Sequence, residues 1–243
     1  MNIGIFIYDE IEVLDLGGPF EVFSVASRVK ARLEPGSQKP FNVFTVGETT
    51  APIRARGKFI VTPSFSFTDH PPIDLLLIPG GIVSVELKKG NVIHWIATTS
   101  AKAKLTASVC TGSSLLAKAG LLDGKHATTH WADIDDMKSM FPNVTVEKDV
   151  RWVDQGAIIT SAGISAGIDM ALHLVSRLES ESLALATAKQ MDYRWIRDSH
   201  VHPVLSQDGP RSFPWPCLCK PLALSTSNEA AEHRPALSNA YQS

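Results

Sequence analysis

The sequence predicts an α/β fold in which one doubly wound, mostly parallel sheet carries helices on its faces. Three observations lead there. Short apolar, β-branched segments alternate with segments of helical period along most of the chain, the pattern of strands joined by crossover helices. One segment, Leu75-Leu76-Leu77-Ile78, is apolar without alternation, as a central parallel strand covered on both faces requires. The 243 residues are 44% hydrophobic and 20% charged, enough for the core of one large domain or two small ones.

In chain order, residues 2–7 form the first strand, being apolar and β-branched. Proline suits the first turn of a helix, so a helix is expected to begin near Pro19. Phe20, Val22, Phe23, Val25, Ala26 and Val29 recur behind it at helical spacing, which lays one face on the sheet. Strands are expected over 41–46, 59–62 and 73–78, the last stopped by Pro79-Gly80-Gly81. A helix over 92–101, a strand over 105–109 and a helix over 112–119 follow. Residues 132–141 read as a helix ended by Pro142, and 145–147, 151–154 and 158–161 as strands. Asp154-Gln155-Gly156 makes the hairpin turn between the last two. The helix over 165–178 sets Ile168, Leu172 and Val175 on one side, and Gly163, Ala166 and Gly167 permit close backbone approach near its start. Helix continues over 182–191. From Ser199 onward Pro203, Pro210, Pro214, Pro216, Pro221 and Pro235 interrupt any helical period. The expected organisation is therefore a domain over 1–198 and a Pro-rich tail over 199–243 with little structure of its own.

Charge and cysteine usage exclude several classes of function. Lys and Arg total 23 against 25 Asp and Glu, a formal net charge of −2, which offers no basic field for nucleic acid or an anionic membrane. No apolar run approaches the length of a membrane-spanning helix. The apolar start meets Asp9, Glu10 and Glu12 at once, so no targeting segment is read. The cysteines, Cys110, Cys217 and Cys219, are an odd count with no disulfide framework, and a reducing cytoplasm is expected. Cys217-Leu218-Cys219 is a weak metal signal. The eight histidines form no ligand pattern and no G-x-G-x-x-G or Walker A loop occurs, so neither metal nor cofactor is expected.

Attention therefore falls on Cys110. The strand over 105–109 runs directly into Cys110-Thr111-Gly112 and then into a helix, which places the thiol at a tight strand-to-helix turn. Ligands of open α/β sheets bind beyond the carboxyl ends of strands, and a helix beginning behind a thiol favours its thiolate. A small buried cysteine packed under a helix is the plainer reading, but core packing does not demand the turn. Gly80 and Gly81, at the end of the neighbouring strand, carry N–H groups that could face the same crevice and stabilise an anion. Asp15 follows the first strand in an apolar frame and reads either as a helix cap or as a site residue. Buried beside Cys110 it would stay protonated and could pass a proton to substrate. His130 could orient or line the pocket, and Trp131 could cover it.

Taken together, Leu14-Asp15-Leu16-Gly17-Gly18-Pro19, Ile78-Pro79-Gly80-Gly81, Ser108-Val109-Cys110-Thr111-Gly112, Ala127-Thr128-Thr129-His130-Trp131 and the Thr160–Asp169 segment resemble the DJ-1/PfpI family. The resemblance covers residues 2–195. It implies a flavodoxin-like, class I glutamine amidotransferase-like fold. Within the family the motifs look most like the isonitrile hydratase branch and the sensing domain of AraC-type regulators. The resemblance makes Cys110 the nucleophile, Asp15 its acid/base partner and Thr111 a site neighbour, with Gly80, Gly81 and His130 close to the thiol. It implies metal-free hydration of a small electrophile, foremost an isonitrile to an N-substituted formamide, by a homodimer. Gly163 to Gly167 would lie near the dimer interface. Gly17 stands where that branch often has Thr, which bears on substrate fit. Other readings are a non-catalytic ligand or redox sensor, and glyoxalase-like hydration of α-oxoaldehydes, whose relatives generally place Glu opposite the thiol. Asp192-Tyr193-Arg194-Trp195 leads into prolines rather than a basic recognition helix, so no nucleic-acid partner is expected.

Overall fold

The computed structural model describes residues 1–199. The expected tail, with Cys217 and Cys219, lies outside the described residues except for Ser199. The elements run β1 (Asn2–Phe6), α1 (Val13–Leu33), β2 (Asn42–Gly47), β3 (Ile53–Arg54), β4 (Ile60–Val61), β5 (Phe65–Ser66), β6 (Leu75–Ile78), α2 (Gly90–Ser100), β7 (Leu105–Val109) and α3 (Gly112–Lys118). They continue with β8 (His126–Ala127), α4 (Ile134–Met140), β9 (Thr145–Val146), β10 (Trp152–Asp154), β11 (Ile158–Ser161), α5 (Ala166–Leu178) and α6 (Glu181–Gln190).

The main sheet has the order β10-β11-β7-β6-β1-β2-β5. Its neighbours are parallel except for β10 and β11. The central strands β1, β6 and β7 pair through Gly4 with Leu76 and Leu76 with Thr106. Leu75 to Ile78 are fully buried, as expected of a strand covered on both faces. Helices α1, α5 and α6 pack against one another, and α2 packs against α3, which lies on β6 and β7. From β1 the chain moves outward to β2 and β5, then resumes at β6 on the other side of β1. The strand order thus reverses between β1 and β6, and such a switch point opens a crevice at the carboxyl ends of the strands. Asp15, Gly80 and Cys110 follow β1, β6 and β7 at that end.

Three expectations require correction. Helix α1 begins at Val13, six residues before Pro19, and runs through Gly17 and Gly18. Glycine and proline disfavour helix interiors. Here Gly18 lets α1 approach α5 so closely that a Cβ would lie 2.8 Å from Ile168 Cγ1, so tertiary packing overrides local preference. The helix expected over 132–141 is divided into a 3₁₀ turn, Trp131–Asp133, and α4. The His130 side chain accepts the Ala132 N–H at 3.3 Å and sets the start of that turn. The strand expected over 59–62 survives as β4, but it pairs antiparallel with β3 in a separate hairpin. The β10–β11 turn forms as expected, with Gln155 N–H donating to the Ile158 carbonyl at 2.9 Å and Gly156 at φ 81°.

Candidate active site

The chain reverses direction at Cys110 with φ 57°, a left-handed conformation that costs a side-chain-bearing residue about 1–2 kcal/mol. The surrounding bonds over-determine it. The Cys110 N–H donates to the Ser161 carbonyl at 3.0 Å. The Cys110 carbonyl accepts from Ser113 Oγ at 3.0 Å and Thr129 Oγ1 at 3.1 Å. Gly112 serves for close approach. A Cβ on it would stand 2.1 Å from the Ile78 carbonyl oxygen, so α3 can seat directly on the end of β6. The thiol itself is buried, with Cys110 4% exposed.

Asp15 lies in the first turn of α1 and is fully buried. Its Oδ2 accepts the Gly80 N–H at 3.1 Å. Its Oδ1 meets no nitrogen or oxygen donor among the described residues. Burial, assisted by the nearby Glu12 carboxylate, pushes the Asp15 pKa up from 3.8 to about 7, against the opposing pull of the Gly80 amide and the Cys110 side chain. The carboxyl therefore exchanges its proton near neutrality beside the thiol.

Thr111 clasps the second glycine. Its Oγ1 accepts the Gly81 N–H and donates to the Gly81 carbonyl, both at 2.9 Å. The N–H groups of Gly80 and Gly81 are thus committed to Asp15 and Thr111 rather than directed at the crevice. The loop holds the Asp15 carboxyl in place, and the expected anion-stabilising role of these two amides does not match their geometry.

His130 is half-buried, with Nδ1 3.2 Å from Asp133 Oδ2. Its ring and the Cys110 sulfur converge on Gly163, where a Cβ would stand 2.6 Å from His130 Cδ2 and 2.9 Å from Cys110 Sγ. Gly163 is thus part of the wall over the thiol, which sequence reasoning missed. Its signal lies in the small residues behind β11, the same residues that the resemblance sets near an interface between copies. Their space is used within the protomer, Gly163 against Cys110 and Gly167 against Val109. Trp131 is 72% exposed and leans on the His130 ring at 5.4 Å.

The structure therefore brings Asp15, Gly80, Gly81, Cys110, Thr111 and His130 together and leaves Trp131 at the surface. A broad open groove lined by His126, Glu147, Trp152, Asp154 and His173 lies elsewhere and contains none of these residues. Among the described residues, no group of three or more His, Cys, Asp or Glu is placed to hold a metal ion. No helix among them is long and apolar enough to cross a membrane.

Comparison with known proteins identifies the family. Residues 1–177 match the model of the DJ-1/PfpI family. An isonitrile hydratase of Pseudomonas putida is 32% identical over 194 residues, covering 79% of this chain and 78% of that protein. The HTH-type transcriptional regulator GbdR of Pseudomonas aeruginosa is 25% identical across 83% of this chain, which spans about half (53%) of the regulator's length. Among solved structures, a ThiJ/PfpI family protein from Pseudomonas syringae superposes with a TM-score of 0.69 at 26% identity, over 79% of this chain and 74% of that one. Drosophila melanogaster DJ-1beta shares the fold at 19% identity, with a TM-score of 0.66 over 80% of this chain and 98% of that one. With its thiol at the strand-to-helix elbow and its sheet in this order, the chain belongs to the DJ-1/PfpI family.

Proposed function

We propose that the protein hydrates an isonitrile to an N-substituted formamide, with Cys110 as nucleophile and Asp15 as acid/base. The observation that carries this reading is the fully buried Asp15 carboxyl, its pKa raised to about 7 beside the Cys110 thiol. The likeness to an isonitrile hydratase at 32% identity supports the substrate class. The pair starts with one proton between sulfur and carboxyl. Sulfur attacks the terminal carbon of R–N≡C while Asp15 protonates that carbon, giving a thioimidate and a carboxylate. The carboxylate then takes a proton from water as the water oxygen adds to the same carbon, and returns it to nitrogen. Collapse breaks the C–S bond and releases R–NH–CHO. The hydroxyl proton returns to the pair. The scheme calls on no metal or cofactor.

The buried thiol, with the Gly163 backbone against its sulfur, favours a slender electrophile whose reacting carbon is terminal. On this reading the protein acts in the cytoplasm as a homodimer, and the expected domain over 1–198 contains the whole site. Turnover of a panel of small isonitriles by the wild type and by Cys110→Ala, followed by formamide release, tests the proposal. Formamide from the wild type alone is expected, and none from the wild type overturns it.

A second reading, a ligand sensor, draws on the regulator relative, whose likeness runs across most of this chain. Saturable isonitrile binding without formamide release would favour it.

A further inference from the structure

The wall over the thiol has an anchor on the far side of the loop that forms it. Gly163 is preceded by Ser161, whose carbonyl accepts the Cys110 N–H, and by Ala162, whose N–H donates to the Arg151 carbonyl at 2.8 Å. The Arg151 guanidinium donates through Nη2 to Asp169 Oδ2. Asp169 is fully buried in the first turn of α5. Three further donors converge on it from the segment after α6. Tyr193 Oη donates to Oδ2 at 3.1 Å, Ile196 N–H to Oδ1 at 2.9 Å, and Trp195 Nε1 to the main-chain carbonyl at 3.2 Å. A buried carboxylate with a charged partner and several neutral donors is held in one geometry, and its loss leaves a cation buried without compensation.

We infer that the Arg151–Asp169 ion pair positions the Ala162–Gly163 backbone over the Cys110 sulfur. Arg151 and Asp169 are positioning residues that act through Gly163 and touch no substrate. The inference rests on the reading of Cys110 as the reacting thiol. It extends the working part of the chain past residue 177, where the family match ends, because Tyr193, Trp195 and Ile196 complete the anchor. The segment after α6 thereby belongs to the scaffold of the site.

The test is the rate of iodoacetamide alkylation at Cys110, read by peptide mass spectrometry so that Cys217 and Cys219 are counted separately. Wild type, Asp169→Asn, Tyr193→Phe and Val92→Ala are compared well below their urea midpoints. Val92 is a fully buried residue of α2 and serves as a control for general destabilisation. Asp169→Asn is expected to speed alkylation roughly threefold to tenfold, the counterpart of about one lost hydrogen bond. Tyr193→Phe removes one neutral donor and is expected to give a smaller rise in the same direction, which keeps the test available if Asp169→Asn does not fold. Rates equal to wild type, or equal to those of Val92→Ala, overturn the inference. Alkylation reports the wall alone, so a wild type that makes no formamide counts against the proposed reaction and not against the anchor.

Discussion

The Gly80 amide donates to Asp15 Oδ2 at 3.1 Å, so the loop that ends β6 holds the carboxyl that α1 delivers. A carboxylate would ordinarily fall in pKa on receiving such a bond, yet Asp15 rises to about 7 because its burial outweighs the amide. The folded protein therefore binds the Asp15 proton more tightly than the unfolded chain does. Between pH 3.8 and about 7 the folded state holds more protons, and stability falls as pH rises. Asp15→Asn carries no such charge. Its stability relative to wild type is expected to improve through this window by up to about 1.4 kcal/mol per pH unit. Urea unfolding of both proteins at pH 4, 6 and 8 checks the slope. A constant difference would show that Asp15 does not titrate there.

At Cys110 the cost of the left-handed backbone can be separated from the chemistry. Cys110→Ala and Cys110→Gly should both abolish formamide production. Only glycine relieves the φ of 57°, so Cys110→Gly is expected to be the more stable of the two by about 1 kcal/mol. Denaturant midpoints of the two variants give the comparison, and equal midpoints would contradict backbone strain at the elbow.

The Gly163 contact predicts an effect opposite to that of loosening the anchor. Alanine at this position brings a Cβ 2.9 Å from the sulfur and 2.6 Å from His130 Cδ2. Gly163→Ala should slow both Cys110 alkylation and turnover, and the forced shift should destabilise the protein by about 1–3 kcal/mol. Alkylation at wild-type speed would place the loop farther from the thiol.

Thr111 can be tested as a clasp. Thr111→Val keeps the shape but leaves the buried N–H and carbonyl of Gly81 without the hydroxyl, at a cost of about 1–3 kcal/mol. Thr111→Ser should retain most of the stability. If valine and serine prove equally stable, the two 2.9 Å bonds do not hold the loop.

The sheet and the elbow were legible because they rest on local signals. The Leu75–Ile78 run, the turn at Gly156 and the strand over 105–109 that meets Cys110 all declare themselves within a few residues. The start of α1 was not legible. Pro19 is a strong local signal, and the contact between Gly18 and Ile168 that carries the helix past it joins residues 150 positions apart. The role of Gly80 and Gly81 was half legible: their place beside the thiol followed from strand order, but the partners of their amides did not. Gly163 was visible as a small residue, and only the fold revealed that its missing side chain leaves room for sulfur.

The two borders of the main sheet have a consequence for self-association. At one border β5 contributes only Phe65 and Ser66 to the pairing, with Pro63 just before it and Pro71 and Pro72 close behind. At the other, β10 is a three-residue strand running against its neighbour. Short borders flanked by residues without an N–H are poor templates for adding another strand. Two copies of this chain therefore have little means of merging their sheets into one. A pairing between copies would then draw on surfaces other than the borders of the main sheet, and changing side chains on those surfaces would dissolve it while the main sheet stays intact.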